Sequence, residues 1–414
     1  MRRLQALLLV LLAACGEPAP PPYERLGKLV VVTRTGPATY RFDGDGRTSG
    51  FEHDLVLRFA QELGTEARFI VAHNHAELGA ALAAGRAHLA AAGLAPTAPA
   101  TLHYSRPIRE LRQLLVQHEE APPLAGMADL AGRTVIALAG SPQWAALAQL
   151  QPQPDGMRVV ALEGVGEMEL LDRVNADTAA LAAIDSAHFD IGANFFPALQ
   201  AVFELPGRLP LVWAFPKSGD ETLRRRADAF IERVRRDGTL ERLIDRYFGH
   251  VRRLDRNDVA RFLERLQTVL PRYRRHFIEA QAIHGIDWRL VAALAYQESH
   301  WDPLATSYTN VRGMMMLTED TADRLRVTDR LDARQSILAG ARYLVELKEQ
   351  LPPEVPEPDR TWLAIAAYNL GMGHMNGARF IATLVKRDPN SWYEMKQVLP
   401  LLSRPEYYAR LKSG

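Results

Sequence analysis

Leu290-Val291-Ala292-Ala293-Leu294-Ala295-Tyr296-Gln297-Glu298-Ser299-His300-Trp301-Asp302-Pro303 reads as the closing turns of a helix that carries an acid toward packed protein. Leu290 and Leu294 lie four residues apart on one stripe, and Glu298 is the next step along it, so its side chain points inward. Asp287 is placed to cap the start of this helix, and Gly285 to end the one before it. Pro303 stops the element, which leaves Glu298 in the last turn, where the negative end of the helix dipole opposes ionisation. Desolvation acts in the same direction. Both effects raise a carboxyl pKa, the property a general acid needs near neutral pH. Periodicity alone leaves a second reading open, a frayed and exposed glutamate of ordinary acidity.

Upstream, Val259, Phe262, Leu263, Leu266, Val269 and Leu270 recur at helical spacing, and no strand pattern of comparable strength follows. Arg272-Tyr273-Arg274-Arg275 reads as a solvated helix face, contact with an anionic polymer being the weaker reading. Between 28 and 250 the pattern is different. Short apolar strands at 29–32, 67–71 and 88–92 alternate with helices at 51–63 and 77–84. A second series places strands at 134–138, 159–162 and 180–184, with helices after Ser141-Pro142 and through 168–174. This order specifies a parallel sheet in two similar lobes. Late strands at 201–205 and 211–215 carry the chain back before helices that end at Tyr247-Phe248, and the cleft between lobes is the natural ligand site.

Smaller signals carry bland readings. His73 and His75 could face one way as metal ligands, but without a third ligand at useful spacing they read as solvated loop histidines. Gly164-Val165-Gly166 lacks the third glycine and downstream acid of a dinucleotide turn. Trp144 and Trp213 suit a core as readily as a ligand-stacking wall.

The chain has 414 residues, enough for two or three domains, and 47% hydrophobic content excludes a disordered polymer. Fifty Lys+Arg against 49 Asp+Glu leave a charge of +1, so no global field favours nucleic acid. Arg2 and Arg3, the apolar run 4–12 and Ala13-Ala14 form a secretory signal too short to span a bilayer. Cys15 is the single cysteine, which forbids an intrachain disulfide. The proline-rich segment 16–22 reads as an extended spacer.

Three sets of motifs carry resemblances. Leu12-Ala13-Ala14-Cys15 resembles the bacterial lipobox, which implies lipidation at Cys15 and a membrane anchor; Gly16 in place of a retention aspartate implies the outer membrane, facing the periplasm. Gly50-Phe51-Glu52-His53-Asp54-Leu55, Asp129-Leu130-Ala131-Gly132-Arg133-Thr134-Val135 and Asp237-Gly238-Thr239-Leu240 resemble periplasmic solute-binding proteins for amino acids. Where that family clamps a carboxylate with arginine, this chain has Pro99-Ala100, which counts against ordinary amino-acid binding. A sensor for a muropeptide or other small ligand and a spacer domain with an unoccupied cleft carry equal weight. Glu298-Ser299-His300-Trp301-Asp302-Pro303, Gly313-Met314-Met315-Met316-Leu317-Thr318 and Ala366-Ala367-Tyr368-Asn369-Leu370-Gly371 resemble, in order, the motifs of soluble-lytic-transglycosylase domains. The Gly-Met-Met-Met variant and the fused solute-binding segment are similar to the membrane-bound, type F subfamily of lytic murein transglycosylases.

The resemblance implies a multidomain chain, with an N-terminal two-lobed α/β periplasmic-binding-protein-like domain and a C-terminal, mainly α lysozyme-like domain. The expected boundaries are a lipoprotein signal over 1–15, a tether over 16–27, the solute-binding-like domain over 28–250, an interdomain helix or linker over 251–270 and the transglycosylase domain over 271–414. It implies Glu298 as the catalytic acid and Ser307, Met315, Met316, Tyr368 and Asn369 as substrate-binding residues. Met316 stands for the usual glutamine, and Tyr308 and Asn310 for a proline and a glycine. Related sequences continue past the equivalent of 411–414, so part of the active-site wall is expected to be missing.

A water-using glycosidase needs two carboxylates, but Asp302 reads as a turn residue and Glu319 and Asp320 as first-turn helix acids. A lytic transglycosylase needs one. Glu298 would protonate the bond between N-acetylmuramic acid and N-acetylglucosamine, then accept the proton of the muramic 6-hydroxyl as that group attacks C1. Peptidoglycan strands would be the partner, the product a 1,6-anhydromuramoyl end, and neither metal nor organic cofactor is required. The rivals are a hydrolytic muramidase on the same fold and a non-catalytic envelope lipoprotein that binds glycan.

Overall fold

The computed structural model describes residues 20–42, 46–96, 102–150, 153–217, 221–249, 256–307 and 310–407. The expectations for Cys15, Pro99-Ala100, Tyr308 and 411–414 lie outside them. The chain divides into two compact units, Met1–Ala260 and Arg261–Gly414.

The first unit is built on one sheet in the order Glu66–Ala72, Lys28–Arg34, Leu89–Leu94, Leu199–Phe215, Arg109–His118, Leu181–Asp185, Thr134–Leu138, Arg158–Leu162. Leu29, Val31, Val32, Leu89 and Ala90 are fully buried because helices cover both faces, which is why these strands read as continuous apolar runs. Pairing within each lobe is parallel. Pairing is antiparallel where Leu199–Phe215 meets Leu89–Leu94 and Arg109–His118, and where the latter meets Leu181–Asp185. The sheet is therefore mixed, not wholly parallel. The segments 201–205 and 211–215 belong to a single long strand whose register slips between Glu204 and Arg208. Its partner Arg109–His118 gave no strand signal, because Arg109, Glu110 and Arg112 interrupt the apolar pattern.

Ahead of residue 28 the chain is already packed. Tyr23–Leu26 forms a helical turn, with Tyr23 buried. The His88 ring accepts the Val30 N–H at Nδ1 (2.8 Å), so its other nitrogen donates to the Pro21 carbonyl (2.9 Å). Burial of Tyr23 and this bridge hold residues 21–23 against the first unit. Trp213 is core, stacked on Phe230, whereas Trp144 is exposed.

The second unit is helical: Leu270–His284, Trp288–Ser299, Glu319–Arg324, Ala333–Gln350, Asp359–Leu370, Met372–Leu384 and Trp392–Val398, preceded by Arg256–Thr268, within which the division falls. Gly285 ends its helix at φ 71°, and the Asp287 side chain accepts the Arg289 N–H. The core gathers Phe277, Val291, Ala295, Ile337, Leu344, Leu363, Ala367 and Ile381, all fully buried. Among the described residues no helix is long and apolar enough to cross a membrane.

Candidate active site

Glu298 sits one residue before the end of Trp288–Ser299. The chain leaves that helix through two left-handed residues, His300 (φ 52°) and Trp301 (φ 61°), a conformation costly for side chains with a Cβ. Compensation comes from Trp301, which folds back against Phe262 and Tyr296 and donates its indole N–H to the Ala292 carbonyl at 2.7 Å. The last turn is thereby pinned to its own helix.

Across from it, Arg312 and Leu317 exchange backbone hydrogen bonds and close a tight turn over residues 313–316. Gly313 is obligatory there: at φ 85°, a Cβ would lie 1.9 Å from the Arg330 carbonyl oxygen. Three hydroxyls hold this turn. Ser299 donates to the Met314 carbonyl (2.8 Å), Ser336 accepts the Met315 N–H (3.1 Å), and Tyr368 donates to the Met315 carbonyl (2.8 Å). The Met315 side chain is fully buried beside Gly340, where a Cβ would meet its atoms at 2.6 to 2.8 Å. Gly340→Ala is therefore expected to cost about 1 to 3 kcal/mol through overpacking, read from the urea midpoint, and to slow turnover by lifting the turn.

The Glu298 carboxyl is half-buried, and burial pushes its pKa above the usual carboxylate range. Its place at the helix C-terminus acts in the same direction. The Tyr368 phenol is raised well above its ordinary value by burial, by the Glu298 charge and by Tyr343, so it is a neutral hydroxyl at any working pH. Tyr343 packs against the Tyr368 ring at 5.2 Å between centroids.

The expected site residues are distributed as follows. The Glu298 charge acts on the Tyr368 phenol, and Tyr368 joins the turn that carries Met315 and Met316. Met315 reaches this site through its backbone only, since its side chain is core. Met316 is half-buried at φ 47°, and Asn369 is exposed at the end of its helix. Ser307 closes the neighbouring loop: its hydroxyl accepts the Val311 N–H at 3.1 Å and its N–H donates to the Val311 carbonyl. Sequence reasoning passed over Ser336, Gly340, Tyr343 and Arg330. The last donates to the Asn310 and Leu317 carbonyls and ties the two loops together. A small-residue pair at i, i+4 (Ser336, Gly340) was the available signal.

In the first unit the two lobes meet through buried charges. Arg34 and Glu167 pair at 2.9 Å, His188 and Asp185 at 2.7 Å, and Glu52 accepts the Gly93 N–H. Although burial alone would lower it, His188 is pushed up to about 9 by the Asp185 and Glu167 carboxylates. Burial raises Glu52 to about 7 against the pull of the Gly93 N–H. His75 does not lie in a solvated loop: its ring is 3.2 Å from the Arg34 guanidinium, and burial together with that charge lowers it to about 4. Among the described residues this buried cluster leaves cavities of about 10 Å³, one beside His75, Gln143 and Glu167, another beside Phe51, Glu52 and Arg109. Each has room for a water molecule, so an organic ligand fits neither cavity unless the side chains around it move apart.

Comparison with known proteins matches both units. The family described as "Transglycosylase SLT domain" matches residues 275–382, and "Bacterial extracellular solute-binding proteins, family 3" matches 29–250. A membrane-bound lytic murein transglycosylase F from Methylobacillus flagellatus is 45% identical over 417 residues, covering 99% of this chain and 88% of that relative. One from Thiobacillus denitrificans is 44% identical over 415 residues, covering 100% of this chain and 88% of the relative. Among solved structures, an amino acid ABC transporter substrate-binding protein from Streptococcus pneumoniae, bound to L-arginine, aligns with 55% of this chain and 97% of its own at a TM-score of 0.50 and 22% identity. That likeness concerns the fold of the first unit. With both domain families matched in order and relatives above 40% identity along almost the whole chain, the protein belongs to the membrane-bound lytic murein transglycosylase F family.

Proposed function

We propose that this chain cleaves the bond between N-acetylmuramic acid and N-acetylglucosamine in peptidoglycan, leaving 1,6-anhydromuramoyl ends. The observation that carries the reading is Glu298, a carboxyl raised by burial whose charge acts on the half-buried Tyr368 phenol, itself hydrogen-bonded to the turn that three hydroxyls hold. Glu298 gives its proton to the leaving glycosidic oxygen as the C1–O bond breaks. The muramic 6-oxygen then bonds to C1 and its proton returns to the carboxylate, which restores the acid without water, metal or cofactor.

The hydrolytic alternative would need a second carboxylate, and the nearby acids have other occupations. Asp302 accepts the Leu304 N–H at 2.9 Å, and Glu319 is largely exposed beside Arg330. Mass analysis of products from purified sacculi separates the readings, because anhydro ends are lighter by one water. Hydrated ends alone would assign the chain to the muramidases.

The relatives' names support membrane association, and we assign the anchor to Cys15, in the outer membrane. Cys15→Ser is expected to move the protein from the membrane pellet to the soluble fraction and to abolish labelling by a fatty-acid probe. The cleft of the first unit is proposed to receive a small ligand of muropeptide type once its lobes open. Identical turnover with and without soluble muropeptides would leave that unit a spacer.

A further inference from the structure

Helix Ala333–Gln350 presents Ser336, Gly340 and Tyr343 at spacings of four and three, on one face. All three meet the site. Ser336, fully buried, takes the Met315 N–H; Gly340 leaves room for the Met315 side chain; Tyr343 backs the Tyr368 ring. Both backbone polar groups of Met315 are thus held by side chains from different helices, Ser336 at the N–H and Tyr368 at the carbonyl. The neighbouring Met314 carbonyl is held by Ser299, the residue that follows Glu298.

This arrangement fixes where one proton lies. The Tyr368 hydroxyl hydrogen is committed to the Met315 carbonyl, so the phenol has no donor left to turn toward the Glu298 charge that acts on it. A lone pair accepts a hydrogen bond from a carboxylic acid and repels a carboxylate. A phenol held in this way therefore favours the acid form. We infer that Ser336 is a positioning residue for the glycan-cleaving reaction, acting on Glu298 through the Met314–Met315 turn that Ser299 and Tyr368 also hold. The inference rests on Glu298 being the general acid. Without the Ser336 acceptor the Met315 N–H loses its buried partner, the turn shifts, and the hydroxyls of Ser299, beside Glu298, and Tyr368 lose the carbonyls that orient them, so the Tyr368 proton can turn toward the Glu298 charge and favour the carboxylate instead.

The test uses the full chain on sacculi, with rate against pH for Ser336→Ala, Tyr368→Phe and the double variant. Ser336→Ala is expected to lower kcat by about ten- to a hundredfold with little change in KM, and to move the alkaline limb of the kcat profile to lower pH. Tyr368→Phe should move the same limb, and the double variant should move it no further, because both act through one path. Ser336→Thr, which keeps the acceptor oxygen, should restore the limb. A Ser336→Ala profile that is merely scaled down, with losses additive to those of Tyr368→Phe, would falsify the inference and leave Ser336 a packing residue. If Ser336→Ala does not fold, Ser336→Cys, a weak acceptor of similar size, is measured against the same outcomes. Glu298→Gln run in parallel separates the two failures: retained turnover there overturns the acid assignment itself, whereas a dead Glu298→Gln with an unmoved Ser336→Ala limb overturns only the positioning role.

Discussion

Glu298→Gln is expected to lower release of anhydromuropeptides from sacculi by about three orders of magnitude, since one side chain serves as acid and then as base. Glutamine keeps the shape and the hydrogen-bonding oxygen but has no proton to give. Glycan binding should survive, which distinguishes loss of chemistry from loss of the groove. The substitution should also stabilise the fold on one side of the pH scale. Burial raises the carboxyl pKa of Glu298 above its unfolded value, so its contribution to stability is fully present below the unfolded pKa and is lost as pH rises through the folded one. Melting curves of the two proteins should therefore differ little in acid and separate as pH rises past the ordinary carboxylate range, with the glutamine variant the higher. Retained turnover would remove the acid from the proposed reaction.

The second large effect concerns the first unit. Arg34→Met leaves Glu167 buried without its guanidinium and should destabilise that unit by about 3 to 5 kcal/mol, whereas Arg34→Met with Glu167→Leu should be close to neutral. Hydrogen exchange in peptides covering Leu181–Asp185 of the intact chain reads both. Equal protection in the single variant and the parent would show that the pair carries no strain of burial. The pH dependence has a definite sign. Burial alone would raise Glu167 and Asp185, but His188 holds both below their ordinary values, with Arg34 also acting on Glu167. Their stabilisation is therefore present above the unfolded carboxylate range and is lost in acid. His188, raised to about 9, contributes fully below about 6.5 and loses its contribution as pH rises through about 9. Glu52 loses its own as pH rises through about 7. Protection of this cluster should fall between pH 6 and pH 10.

What the chain displays in its residues, and what it hides, follow from where each partner lies in the sequence. Thr134–Leu138 was legible because a strand covered on both faces must be apolar throughout. Arg109–His118 was not, because its partner Leu199–Phe215 lies far along the chain and its charged residues break the run. Glu298 could be placed by the stripe it shares with Leu294, a local relation, and Tyr368 by its motif. Ser336 and Gly340 carry no chemical signal until the turn at 313–316 docks against them. The same reason separates Met315 as a motif residue from Met315 as a buried side chain, and His75 as a loop histidine from His75 beneath a closed lobe.

The docking of Pro21 on His88 and the burial of Tyr23 set a mechanical limit. With Cys15 held by lipid as proposed, the chain from Cys15 to Pro20 can reach no farther than about 18 Å. A leash that short ties the first unit close to the bilayer surface. The enzyme then explores a shell of murein whose depth is set by its own dimensions, and a longer insertion before Pro21 would deepen that shell without touching any catalytic group.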